Sequence, residues 1–252
     1  MGIIINELPL CPLINNESSL ENNYDDNDEV HSTFDDSDAD KNYETFATLN
    51  KNSSKKSYCV LWHEALSGRK AEALVDSILR VISEERDVSE FIFWADNCTG
   101  QNKNWVLYTA LITEVNRPTG PKEIRIKYLT KGDTHMSADG IHGNIEQKLG
   151  RKRNVYDFQE LVEVIENCRK NVNVLKLNQF HSWKNKKRAV TKKVDDPLKG
   201  FTLNPLVEVK FNSGCRFMKY ETDFDEEYKE IDFLQKKTYY TTPSRINKYT
   251  WS

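Results

Sequence analysis

Between Tyr58 and Tyr128 the spacing of apolar residues switches repeatedly between two periods, and this alternation constrains the fold more than any other feature. Tyr58-Cys59-Val60-Leu61-Trp62 is a short apolar run ending on His63 and Glu64, as expected of a buried strand that opens the ordered part of the chain. Ala71, Leu74, Val75, Ile78, Leu79 and Ile82 then recur at helical spacing, which predicts an amphipathic helix over 68–84 capped by Ser67. Phe91-Ile92-Phe93-Trp94-Ala95 is continuously apolar, the pattern of a strand covered on both faces, and it stops at Asp96. Tyr108, Leu111, Ile112 and Val115 predict a second helix, and Ile124, Ile126 and Tyr128 alternate with Arg125 and Lys127 in a further strand. Strand, helix, strand, helix, strand is the order of an α/β sheet with helical crossovers. Such sheets bind ligands beyond the carboxyl ends of their strands, which makes Asp96 a natural place for a site.

The 252 residues suffice for one sizeable core. A formal net charge of −3 conceals an acidic N-terminal block and basic segments further along. Residues 15–57 are rich in Asn, Asp, Ser and Glu and offer little to bury, so they are expected to form a disordered, solvated acidic segment; the spacing misses that of a calcium loop. Phe158, Leu161, Val162 and Ile165 predict another helix. Val207 to Phe211 and Cys215 to Tyr220, joined through Asn212-Ser213-Gly214, predict a hairpin inside a basic C-terminal extension over 181–252. Five cysteines scattered singly fit a reducing, intracellular setting and make neither a zinc pair nor a disulfide framework. Asn6 stands where a myristoylation signal wants Ser or Thr, and no apolar run approaches the ~20 residues of a membrane helix, so no membrane partner is expected. Phosphate-loop and nucleophile-elbow motifs are absent, and no small-molecule cofactor is expected.

Two polar constellations remain. Asp96-Asn97-Cys98-Thr99-Gly100-Gln101-Asn102-Lys103-Asn104 is a dense loop between apolar elements; it either presents several side chains to one ligand or satisfies its own backbone donors. In Gly132 to Glu146, helical geometry places His135, Asp139, His142 and Glu146 on one face, which is costly to bury unless paired or ligated. Gly140 and Gly143 each weaken a helix by about 1 kcal/mol, which is easiest to understand where a partner approaches closely. If Asp96 faces Asp139 or Glu146, the oxygens suit Mg²⁺ and phosphodiester cleavage is the natural chemistry, with His135 a further ligand; zinc ranks lower because no thiolate accompanies the histidines. Lys103 is expected on the nucleic-acid-facing side, and Lys148, Arg151, Lys152 and Arg153 read as phosphate-contacting or as solvated surface, their position beside the acidic stripe favouring the first. A second cluster, Lys184, Lys186, Lys187, Arg188, Lys192 and Lys193, reads as phosphate-contacting, as a nuclear-import signal, or as solvated surface. His181 and Trp183 would add stacking for single strands, although an isolated Trp is more often packed.

Three segments resemble a transposon-derived family with an integrase-like, ribonuclease-H-like domain. Trp62-His63-Glu64 with Gly68-Arg69 looks like its Trp-His-Glu segment, and Ala95 to Asn104 looks like its Ser-Asp-x-Cys-x-Gly-Gln-Asn-x-Asn motif. In Gly132 to Glu146, Thr134, Met136, Asp139, His142, Ile145 and Glu146 fall in register with a third motif, whereas Asp133 replaces its His. Over roughly 58–180 the resemblance implies a ribonuclease-H-like mixed sheet flanked by helices. It implies a DDE-type site in which Asp96 and either Glu146 or Asp139 would bind magnesium. Glu7-Leu8-Pro9-Leu10 resembles the segment after the family's first catalytic strand, so residues 1–14 read as a remnant of that strand with Ile3 at its acidic position; the first strands are then expected to be missing or altered. A two-metal site lacking one carboxylate loses its geometry, so the resemblance implies a catalytically degenerate, DNA-associated protein. The alternatives are an active Mg²⁺-dependent nuclease in which Glu64 supplies the missing ligand, and an interaction module without a nucleic-acid partner.

Overall fold

A computed structural model describes residues 2–7, 45–47, 49–51, 54–63, 65–66, 71–97, 102–129, 137–152, 154–183, 187–235 and 244–246. In the N-terminal part these form β1 (Gly2–Glu7), β2 (Thr45–Ala47), β3 (Leu49–Lys51) and β4 (Ser54–Trp62). Then follow α1 (Ala71–Glu84), β5 (Glu90–Ala95), α2 (Trp105–Val115), β6 (Glu123–Tyr128), α3 (Ser137–Lys152) and α4 (Phe158–Glu166). The last part holds β7 (Val172–Lys176), β8 (Phe180–Ser182), β9 (Glu208–Asn212), β10 (Met218–Glu221), β11 (Lys229–Ile231) and β12 (Ser244–Ile246). The architecture is mixed α/β, with mixed sheets flanked by helices.

One sheet is built around β4. Its Ser57–Trp62 stretch pairs antiparallel with β1, its Ser57–Leu61 stretch pairs parallel with β7, and its first three residues pair with β3. Ile3, at the position where the resemblance wants an acid, faces Leu61 in this ladder. The second sheet runs β11-β10-β9-β6-β5-β2, with β5 and β6 parallel and the other neighbours antiparallel. The strand-helix-strand-helix-strand order from β4 to β6 is as the periodicity requires. The expected hairpin is β9 and β10, whose turn includes Gly214 at φ 77°, a left-handed conformation that favours glycine.

β4 separates two clusters because successive strand residues point to opposite faces. Tyr58, Val60 and Trp62 join the main core with α1 and α2, while Cys59 and Leu61 meet Ile141 and Ile145 of α3 and Leu161, Val162 and Ile165 of α4. Gly120, between α2 and β6, lies so close to the α2 terminus that a Cβ would sit 2.0 Å from the Glu114 carbonyl oxygen, which leaves room for glycine alone.

Three expectations are corrected. β5 is fully covered on only one face: Phe91, Phe93 and Ala95 are buried, whereas Ile92 and Trp94 are half-buried beside Arg125 and Lys127 of β6. Strand structure reaches back into the 15–57 stretch, because β2 adds to β5 and β3 forms a hairpin with the start of β4. The C-terminal extension is no separate linker and hairpin: β9 adds directly to β6, and Phe201 and Phe233 close over Trp105 of α2 at ring distances of 5.8 and 4.8 Å. Ser67, the expected helix cap, lies outside the described residues.

Candidate nucleic-acid interface around the Asp96 loop and helix α3

Asp96 follows β5 directly, at the carboxyl end of a parallel pair. Its carboxylate accepts a hydrogen bond from the Asn102 side-chain amide. The Asn102 carbonyl in turn accepts from the Tyr128 hydroxyl at 2.8 Å, and the hydroxyls of Tyr128 and Tyr108 lie 2.8 Å apart. Burial pushes both phenols above their usual range. Asn104 caps α2 by accepting from the Leu107 N–H at 2.8 Å, one of the donors a helix start leaves orphaned. Asn102 and Asn104 thus spend their side chains on the loop itself, the structural one of the two readings of this motif. Residues 98–101 lie outside the described residues.

Lys103, expected at a phosphate-contacting surface, is instead 1% exposed. Its ammonium donates to the Asn204 carbonyl at 2.9 Å and lies over the Tyr128 ring. Burial lowers its pKa to about 8. A lysine beside a helix start reads as surface in any sequence; only the tertiary placement of Asn204, far along the chain, makes it a core residue.

Asp139, His142 and Glu146 do share a region of α3, since both carboxylates act on the imidazole electrostatically. Burial dominates there and lowers the His142 pKa, against the opposing pull of Glu146 and Asp139. His135 and Glu64 lie outside the described residues. Among the described residues, no three His, Cys, Asp or Glu side chains come close enough to share a metal ion. Asp96, Asp139 and Glu146 are thus not brought together as a set of three ligands among the described residues.

The basic residues divide into two groups. Lys148 and Arg151 of α3 are exposed and form no ion pair with a described residue. Lys152 is drawn to Glu160 of α4 at 2.8 Å, and Arg153 lies outside the described residues. In the second cluster Lys186 lies outside them too. Lys187 places its ammonium 5.6 Å from the Trp105 ring centroid, and Arg188 grips Asp196 with two bonds of 2.8 and 2.9 Å. These two residues bind the fold together.

Gly140 and Gly143 are exposed, and among the described residues nothing lies within 4 Å of where their Cβ atoms would be. No described neighbour explains them. With Gln147 and Arg151 they fall at helical spacings of three and four, an exposed stripe of low relief that ends in a cation.

His181 and Trp183 have structural work. The Asp76 carboxylate, buried in α1, accepts from the Trp183 indole at 2.7 Å, the His181 backbone N–H at 2.7 Å and the His181 ring Nδ1 at 3.0 Å. Trp183 is packed, and sequence reasoning missed Asp76, whose partners are more than a hundred residues away.

Together these features define a mixed α/β domain with a polar loop at the carboxyl end of a parallel strand pair and a helix whose exposed cations lack ion-pair partners among the described residues. The chain belongs to a family described as a domain of unknown function, DUF7869, whose model matches residues 48–202. No curated protein and no solved structure matches the chain. No described helix is long and apolar enough to cross a membrane.

Proposed function

We propose that this protein is a transposase-derived domain with a ribonuclease-H-like ancestry that holds DNA along helix α3 and does not cut it. The observation that carries the reading is the exposed surface of α3, where Lys148 and Arg151, without ion-pair partners among the described residues, follow the exposed Gly140 and Gly143. Exposed cations on a helix surface of low relief let a polyanionic backbone approach closely and release counterions, the main source of sequence-independent affinity. The loop motif at Asp96 and the register of Asp139, His142 and Glu146 support the ancestry. Ile3, standing where the resemblance places the first acidic residue, supports the loss of cleavage.

The test is fluorescence anisotropy of a labelled duplex with the full chain over a range of salt. Binding that weakens as salt rises, and that falls in a Lys148→Glu/Arg151→Glu variant, is the expected result. Equal binding by the variant would remove α3 from the interface, and no binding at about 50 mM salt would end the nucleic-acid reading.

A further inference from the structure

Residues 189–195 form a surface loop held far more firmly than its exposed side chains require. Its root is Asp196, whose carboxylate receives both bonds of the Arg188 fork together with the backbone N–H groups of Thr191 and of Leu198, the latter at 3.0 Å. Arg188 is itself fixed to the body of the protein, its Nε donating to the Asp232 carbonyl beyond β11 at 3.1 Å. Four donors on one carboxylate order the turn, and ordering a loop removes conformational freedom that a bare connector would keep.

What this turn displays has no ion-pair partner among the described residues. Lys192 and Lys193 are exposed and form no ion pair with a described residue. Val194 is 88% exposed and Val190 44%. A single exposed aliphatic residue is ordinary; two of them flanking two cations without a described ion-pair partner on a pre-ordered turn form a small amphipathic surface.

We infer that the 189–195 loop is a second nucleic-acid contact, in which Lys192 and Lys193 meet backbone phosphates while Val190 and Val194 lie against sugars and base edges. The inference rests on the nucleic-acid reading but uses a surface other than α3. An anionic membrane would also attract these side chains, but two lysines near such a surface contribute only about 1 kcal/mol each. On nucleic acid each lysine neutralises a backbone phosphate and releases its counterion, and the ordering cost has already been met within the fold.

The experiment measures duplex affinity against salt for the full chain, for Lys192→Gln/Lys193→Gln, for Val190→Ser/Val194→Ser and for the α3 variant. All the altered side chains are exposed, and unchanged circular dichroism and thermal midpoint identify folded variants. The lysine pair is expected to weaken binding and to reduce the slope of log affinity on log salt by about 2, close to one for each phosphate that a lysine neutralises. The valine pair is expected to weaken binding at unchanged slope. If the lysine variant binds with the parent's affinity and slope while the α3 variant is impaired, the loop inference is overturned and the nucleic-acid reading stands; if the parent binds no duplex at low salt, both fall. Valine-dependent capture by phosphatidylserine vesicles, with duplex binding unaltered in both loop variants, would assign the loop to a membrane and overturn the inference.

Discussion

The ammonium of Lys103 lies 4.6 Å from the centroid of the Tyr128 ring, in the interior between the Asp96 loop and residues 201–206. Burial brings its pKa down to about 8, against roughly 10.4 for an unperturbed lysine. Between about pH 8 and about pH 10 the folded chain therefore binds fewer protons at this position than the unfolded chain, and the linkage makes stability rise with pH. Buried tyrosines such as Tyr108, whose pKa is raised, act in the opposite sense above about pH 10. Urea unfolding as a function of pH should show the rise in the parent protein and its loss in Lys103→Met; the same slope in both would contradict the buried-lysine account.

The Arg188–Asp196 clamp predicts acid lability. The guanidinium, with the Thr191 and Leu198 N–H groups, holds the Asp196 carboxyl well below the usual carboxylate range. A group with a depressed folded pKa contributes stability that is present above its unfolded value, about 3.9, and is lost as pH falls below that toward the folded value. Asp196→Asn should lower the thermal midpoint at neutral pH and narrow its difference from the parent as pH falls below about 4. A difference independent of pH would show that the clamp's charge is unimportant.

Asn104 predicts a local effect of ordinary size. Removing its cap with Asn104→Ala should cost about 1 kcal/mol of stability, measured by urea unfolding. Asn104→Asp or Asn104→Ser should retain most of it, because either side chain still offers an oxygen to the Leu107 N–H.

Leu61 tests whether α3 is held in place from below. It is completely buried in the cluster that joins β4 to α3 and α4. Leu61→Ala should cost about 2–5 kcal/mol, and hydrogen exchange in α3 should accelerate with it. A loss confined to the main core, with α3 protection unchanged, would contradict the arrangement.

The elements legible in the sequence were those whose period is set by burial. Tyr58 to Trp62, the helical spacing from Ala71 to Ile82 and the alternation of Ile124, Ile126 and Tyr128 each place one face or both against a core, so the pattern survives in the residues themselves. The turn at Gly214 was legible for a local reason, a glycine set between two strand-like runs. Pairings that join distant segments were not: nothing in Val172–Lys176 says that it runs parallel to β4, and nothing in Asp76 announces His181 and Trp183. The basic residues misled for the same reason. Arg188 reads as one charge in a basic run until Asp196 folds back on it, and Lys103 reads as solvated until Asn204 arrives. On α3, Lys148 and Arg151 are exposed, and no described acidic residue pairs with them.

Binding and cleavage read from one sample test the central claim most directly. A labelled duplex is incubated with the full chain and Mg²⁺ at low salt, its anisotropy is recorded, and its strands are then resolved on a denaturing gel. The account predicts salt-sensitive binding that Lys148→Glu/Arg151→Glu weakens, with no new strand ends at any time. Magnesium-dependent nicking that disappears in Asp96→Asn would contradict it, and so would a duplex that stays unbound at the lowest salt.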